Sequence, residues 1–480
     1  MNRKMVFWSV GRILIAVSVL LLLPTACALY YNEAAVKSFG ITIAVSITLG
    51  LLLSVIFKTE NKDIYAKEGF AIVALAWLVT SLIGALPFYL SGEIPLYTDA
   101  FFETVSGFTT TGASIVPDIE SMSKSLLFWR SFTHWIGGMG VLVFVMMFTN
   151  ISDRSLHIMR AEMPGPIVGK LVPRAKDTSR LLYIIYIAMT IVLIVLLKAG
   201  GMPLFESVLH AFGTAGTGGF GIKADSIAGY SPYIQWVITI FMILFGINFN
   251  VYYLILAKRA RTALKSSEMW TYLAIIAAST AAIAVNIHGT YTTVSETIRQ
   301  SAFQVASVIT TTGYATTDFD LWPTFSKTIL VILMFIGASA GSTGGGIKVS
   351  RIMIMFKTVR REFNRMLHPR NVRVLRLEGK VLDESTIANT MSYIGIYAIC
   401  FFSILLMISI DGYDFETNFT ALASCFNNIG PGLAKVGPTQ NFSIYSQFST
   451  VILSIAMLLG RLEIFPILIT LSPSTWSNKK

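Results

Sequence analysis

Phe102, Ser106, Thr109, Thr110, Thr111 and Gly112 recur at identical spacing as Phe303, Ser307, Thr310, Thr311, Thr312 and Gly313, so the pattern F-x3-S-x2-T-T-T-G occurs twice in one chain. A third copy keeps the frame with Ser424, Asn427, Asn428, Ile429 and Gly430, followed by Pro431 and Gly432. A further copy lies in Phe212-Gly213-Thr214-Ala215-Gly216-Thr217-Gly218-Gly219-Phe220. Its key glycine is Gly219 or Gly218; Gly219 is preferred because Phe220 then stands where Tyr314 follows Gly313. Such residues suit coordination better than catalysis. A dehydrated alkali cation needs several hard oxygen ligands in place of its water shell. Carbonyls of Thr110, Thr111, Thr217, Gly218, Thr311, Thr312, Asn428 and Ile429, with the glycines Gly112, Gly219, Gly313 and Gly430, can supply them from four converging loops. Glycine reaches backbone conformations closed to residues with a Cβ, and threonine hydroxyls can satisfy neighbouring backbone groups or add ligands. Neutral oxygens favour weak, fast binding of a monovalent ion. Acidic rings or an Asp/Glu/His relay would mark a divalent or proton path, and neither is obvious.

Other residues carry chemistry with less definition. Glu103 and Glu206 hold corresponding places early in loops one and two, while Asp99, Asp318 and Asp414 lie near loop ends. They serve capping and packing, or attract cations to a mouth. The run Gly337-Ala338-Ser339-Ala340-Gly341-Ser342-Thr343-Gly344-Gly345-Gly346 cannot remain a straight helix. Its readings are a mobile segment beneath the loops or small-residue packing; Ile347 before Lys348 spoils a phosphate-binding G-x-x-x-x-G-K-[ST] match. Arg461, next to Leu462 and Glu463 in the last apolar run, is costly there without a role. It caps carbonyls of the broken segment, repels cations, or pairs with Glu463. Gly137-Gly138-Met139-Gly140 reads as a packing face, Asn248 and Asn250 as interior polar contacts, and His134 as a satisfied interface residue. No H-E-x-x-H, catalytic carboxylate pair or G-x-S-x-G turn is present, so no enzyme is expected.

Elements must hold these loops in place, and composition says what kind. With 54% hydrophobic and only 13% charged residues among 480, the chain is far more apolar than a soluble domain. Ten segments are long enough to span a bilayer: 7–30, 38–57, 69–91, 126–149, 180–200, 231–257, 268–287, 324–347, 390–410 and 444–472. Positive charge concentrates in alternate connections, at Lys58, Lys62 and Lys67; at Arg154, Arg160, Lys170, Arg174, Lys176 and Arg180; at Lys258, Arg259, Arg261 and Lys265; and from Lys348 to Lys380. That bias places both termini in the cytoplasm. A net charge of +11 is thereby explained without nucleic acid, for which basic patches interleaved with exposed aromatics are missing. Cys27, Cys400 and Cys425 lack C-x-x-C spacing and support neither a disulfide framework nor a thiolate metal site.

Four outside connections each contain a helix-like stretch too short to span, ending in a Gly-containing polar turn. Non-helical backbone at membrane depth survives only where protein buries it or it lines water, so these are candidate re-entrant loops. Key glycines separated by 107, 94 and 117 residues define a repeat of helix, loop and helix. The expectation is an all-α integral membrane protein with ten transmembrane helices around one pseudo-fourfold pore: two accessory helices in 1–60, then repeats in 61–155, 156–262, 263–380 and 381–480, the third carrying the broken helix and the basic connection.

The four threonine- and glycine-rich motifs, the Gly-rich break and Gly460-Arg461-Leu462-Glu463 together resemble the TrkH/TrkG members of the Trk/Ktr/HKT superfamily of potassium transporters, over nearly the whole chain. Two helices ahead of the repeats resemble the TrkH type. The resemblance implies potassium uptake across a bacterial plasma membrane and a homodimer with one pore per subunit. It also implies a gating loop at Gly341, Ser342, Thr343, Gly344, Gly345 and Gly346 held by Arg461, and a cytoplasmic TrkA-like nucleotide-binding ring as regulator, with no nucleotide on this chain itself. Gly112 resembles potassium-selective members. Gly216 and Thr217 depart from the usual second loop, which leaves a less selective K+/Na+ channel or a cation-coupled symporter as alternatives.

Overall fold

The computed structural model describes residues 1–60, 65–140, 175–370 and 374–476. In hydrocarbon a backbone must bond to itself, so apolar runs of this length fold as helices. Among the described residues, six helices are long and apolar enough to cross a membrane: Arg3–Tyr30, Val36–Ile56, Ala66–Ser91, Arg180–Ala199, Ser267–Asn286 and Glu384–Asp411. Two bent pairs raise that to eight, Pro232–Phe245 with Phe249–Leu256 at 89° and Gln447–Arg461 with Phe465–Leu471 at 116°. The chain is a multi-pass, helical membrane protein.

Several runs expected to be continuous are broken, each for a local reason. The first pauses at Leu21, because Pro24 has no N–H to give the carbonyl four residues earlier. Residues 231–257 break where Asn248 leaves the helix and caps the next one, its side chain accepting from the Asn250 amide at 2.9 Å. Residues 444–472 break at Glu463 and Ile464, both left-handed at φ 56° and 65°. The run 324–347 is a helix only over Thr324–Ile336; Gly337 turns out at φ 72°, and helix resumes at Val349. Of 126–149, the helix Lys124–Gly138 is described; the rest, with Lys62, Arg154, Arg160, Lys170, Arg174 and residues 371–373 of the basic connection, lies outside the described residues.

Four short helices, Tyr97–Phe108, Leu204–Gly216, Val294–Ile309 and Phe415–Asn427, each sit between a long leading helix and a trailing one. Every trailing helix packs on its own short helix and on the next one in the chain: Lys124–Gly138 on the second, Pro232–Phe245 on the third, Thr324–Ile336 on the fourth, and Gln447–Arg461 on the first. The packing closes a circle. Arg3–Leu20 and Val36–Ile56 pack on each other and outside Ala66–Ser91. After the broken run, Val349–Leu367 leads to a hairpin pairing Arg376 with Val381 and Leu377 with Lys380.

Candidate functional site

All four short helices end in the same way. The amides of Thr111, Gly218, Thr312 and Ile429 donate to the carbonyls of Ser106, Gly213, Ser307 and Ser424 at 2.8, 2.8, 2.8 and 3.0 Å. One residue earlier, Thr110 donates to Gly107, Thr217 to Thr214, Thr311 to Val308 and Asn428 to Cys425, at 3.1, 3.1, 3.1 and 3.4 Å. This is a Schellman ending, which requires a left-handed residue just past the cap, ordinarily glycine. Here the position is held by Thr110, Thr217, Thr311 and Asn428, with φ of 56°, 53°, 59° and 58°. Three of the four are β-branched, for which the conformation is strained. Two residues on, Gly112, Gly219, Gly313 and Gly430 are again left-handed at 79°, 73°, 84° and 111°. In the second loop it is Gly219, not Gly218, that takes this place.

Those glycines join the loops to one another. A Cβ on Gly112 would fall on the carbonyl oxygen of Gly218, one on Gly219 on that of Thr312, and one on Gly313 on that of Ile429. One on Gly430 would come within 3.1 Å of the Thr111 oxygen. The contacts run from first loop to second, third, fourth and back to the first. The four carbonyls so contacted accept no hydrogen bond from any described residue, although buried carbonyls are normally paired. Buried Thr110 Oγ1 and Asn428 Oδ1 also meet no partner among the described residues. A closed set of unpaired neutral oxygens fits a dehydrated monovalent cation.

Supporting contacts hold the turns. Thr109 and Thr111 share a hydroxyl bond at 2.7 Å, Thr310 and Thr312 one at 2.8 Å, and Asn427 accepts from Tyr397 at 2.9 Å. The second loop has Gly216 where a hydroxyl or amide stands elsewhere, and His134 fills the space. Its Nε2 accepts the Phe220 amide at 3.3 Å, so Nδ1 carries the proton donated to the Gly107 carbonyl at 2.8 Å. That arrangement is a neutral imidazole.

On one side of the ring, residues following the glycines line a vestibule of about 130 Å³ whose charged walls are Arg130 and Lys223. The acids raised by the sequence do other work. Buried Glu103 pairs with Arg130 at 2.5 Å and accepts the Ile115 amide at 2.9 Å. Glu206 accepts from Tyr230 at 2.6 Å, Asp318 accepts the Asp320 amide, and Asp414 caps the fourth short helix. Asp99 lies in the first turn of the first short helix. None of these acids lines the vestibule.

On the other side, the Gly-rich run passes directly behind loops three and four. Gly345 donates its amide to Thr311 Oγ1 at 2.6 Å and Gly346 to the Asn427 carbonyl at 3.1 Å. Thr343 donates to the Phe245 carbonyl and Gly341 accepts from Phe249 at 3.0 Å. Ser342 is tied within the run to the Ser339 carbonyl, and the Gly344 carbonyl accepts from buried Lys348. The expected mobile segment is thus a buried and well-bonded one in this conformation. Arg461 caps it: one guanidinium nitrogen donates to Thr343 O at 2.9 Å, another to Gly137 O at 2.5 Å and Gly138 O at 3.0 Å. Glu463 pairs with Arg351 at 2.7 Å instead. Gly137-Gly138 is therefore more than a packing face, since it presents carbonyls to Arg461. Sequence reasoning missed Arg130, Arg351 and Lys348 as partners; a charge inside an apolar run was the available signal for Arg130.

Taken together, fold and site define a multi-pass helical membrane protein whose four short loops close on one another through glycine-to-carbonyl contacts. The family of cation transport proteins called TrkH matches residues 35–279 and 269–480, and the chain belongs to that family. It is 35% identical over 475 residues to "Trk system potassium uptake protein TrkH" of Salmonella typhimurium, covering 97% of this chain and 98% of the relative. It is 32% identical to "Trk system potassium uptake protein TrkG" of Escherichia coli K12, covering 96% of each. The crystal structure of the potassium transporter TrkH from Vibrio parahaemolyticus matches with a TM-score of 0.89 at 31% identity, over 99% of this chain and 100% of that one. Membership makes the chain a transport protein and not an enzyme.

Proposed function

We propose that this chain takes up potassium through one pore made of four helix–loop–helix repeats, bounded as 61–155, 156–262, 263–380 and 381–480. The selectivity filter is Thr110, Thr111, Gly112, Thr217, Gly218, Gly219, Thr311, Thr312, Gly313, Asn428, Ile429 and Gly430. The observation that carries this reading is the closed ring, in which each key glycine packs on a carbonyl of the next loop. A potassium ion shedding water there meets preplaced neutral oxygens, held from behind by the hydroxyl pairs and by His134. Gly341–Gly346 forms the gate, because it bonds to the back of loops three and four and Arg461 pins it to the trailing helix of repeat one.

The whole system, by this reading, is a homodimer in a bacterial plasma membrane, both termini cytoplasmic, with a nucleotide-binding ring as regulator. Relatives named as parts of a Trk system support the last element. A less selective K+/Na+ channel is the second reading, favoured by Gly216 in the second loop, which lacks the hydroxyl that braces loops one and three. Growth of a potassium-uptake-deficient strain at low potassium, with and without a cytoplasmic partner, tests the proposal. Rescue that added sodium abolishes favours the second reading, and no rescue under any condition overturns both.

A further inference from the structure

Glu268 is 6% exposed and lies at the start of the third leading helix, outside both the ring of loops and the grip of Arg461. One oxygen of its carboxylate joins the two flanks of Gly341–Gly346, accepting the Ala340 amide at 2.7 Å and, from the helix that follows, the Ser350 amide at 3.2 Å. A buried carboxylate is retained only where such donors meet it. The same helix start is gripped from its other side by Glu378 of the hairpin, which accepts from Ser266 Oγ at 3.3 Å, Ser267 Oγ at 2.9 Å and the Glu268 amide at 2.8 Å. Free amides and a positive helix end favour a carboxylate there.

Glu378 occupies the first position of a two-residue hairpin turn at φ 51°, followed by Gly379 at 74°. Asparagine, aspartate or glycine is the usual occupant of that position, so the turn bears strain to present a longer acid. The hairpin is also fixed to the helix that leaves the Gly-rich run: Lys357 donates to the Arg376 carbonyl at 2.8 Å, and Leu375, Leu377 and Leu382 pack with Ile354 and Ile387. A cavity of about 420 Å³, bounded by Glu268, Ala340, Ser350, Leu377 and Glu378, separates hairpin from run and gives the hairpin room to shift.

We infer that Glu268 and Glu378 are positioning residues that form a two-carboxylate latch, by which the hairpin of the basic connection holds the Gly-rich run closed. This rests on the reading of Gly341–Gly346 as the gate. Displacing the hairpin draws Glu378 off the helix start, loosens Glu268, and releases both ends of the run at once.

The test is potassium flux through the purified full chain in vesicles of phosphatidylethanolamine and phosphatidylglycerol, with no partner added. Glu268→Ala and Glu378→Ala are each expected to raise flux about tenfold or more, the factor that follows when the closed state loses at least one charge-assisted hydrogen bond. The double variant is expected to rise no further, since both act in series. Selectivity is expected to stay as in the parent, which separates the latch from a disturbed filter. With Glu268 intact, oxidising Ser266→Cys/Glu378→Cys is expected to suppress flux and a reductant to restore it. Unchanged flux in both single variants, or equal flux in the oxidised and reduced pair, overturns the latch while leaving the pore standing. Failure of the parent and every variant to conduct overturns the reading on which it rests.

Discussion

Thr110, Thr217 and Thr311 hold the left-handed position where glycine is ordinarily found; Thr311 Oγ1 takes the Gly345 amide, while Thr110 Oγ1 meets no partner among the described residues. Thr110→Gly is therefore expected to leave the fold as stable as before or up to about 1–2 kcal/mol more so, while weakening ion selectivity; thermal unfolding in detergent and vesicle flux measure the two effects. Gly313→Ala acts differently, since its methyl falls on the Ile429 carbonyl. The altered protein should insert normally but lose about tenfold or more in potassium-over-sodium discrimination, the factor that about 1.4 kcal/mol gives. Removing Glu103 alone, as Glu103→Ala, strands buried Arg130 and is expected to cost about 3–5 kcal/mol of stability, read as a lowered unfolding midpoint. The glycines were legible because the motif repeats. The strained threonines were not, because threonine's own preferences argue against that conformation.

Among the elements, the short helices and their order could be read from the spacing of motifs and the apolar runs around them. The breaks near Asn248 and at Glu463-Ile464 could not, since the apolar pattern continues through both. What bends the chain is a cap in one case and backbone forced left-handed in the other. Arg461 stood out by its depth in an apolar run, yet its three acceptors come from segments 118, 323 and 324 residues away in sequence, a separation that no local pattern reports. At the fourth short helix, hydrogen bonds from the Thr417 hydroxyl and amide hold the Asp414 carboxyl below the usual carboxylate range. A lowered folded-state pKa means the cap contributes fully above the unfolded value and its contribution is lost as pH falls through the lowered one. Asp414→Ala should thus destabilise by about 1 kcal/mol near neutrality, and the gap to the parent should narrow as unfolding is followed to lower pH.

For the molecule as a whole, the circular order of packing makes one axis and places the Gly-rich run across its rear face. Deleting Gly341–Gly346 is expected to raise potassium flux several-fold in vesicles, as removing an obstruction would; a fall in flux with the fold intact would make the run a strut for loops three and four. The apolar composition predicted the membrane class, whereas the hairpin and its grip on the third leading helix had no signature in periodicity.

The ring of glycine-to-carbonyl contacts also has a bearing on how the protein comes to exist. Its last link joins Gly430 to Thr111, so the first loop waits, during synthesis, for a segment made more than three hundred residues later. No earlier fragment can complete the ring. Contacts of such separation form slowly, and until they do the first loop lacks the neighbour that packs against its Thr111 carbonyl. The trailing Gln447–Arg461 helix, which packs on both the fourth and the first short helices, is then the clasp whose arrival closes the circle of four loops.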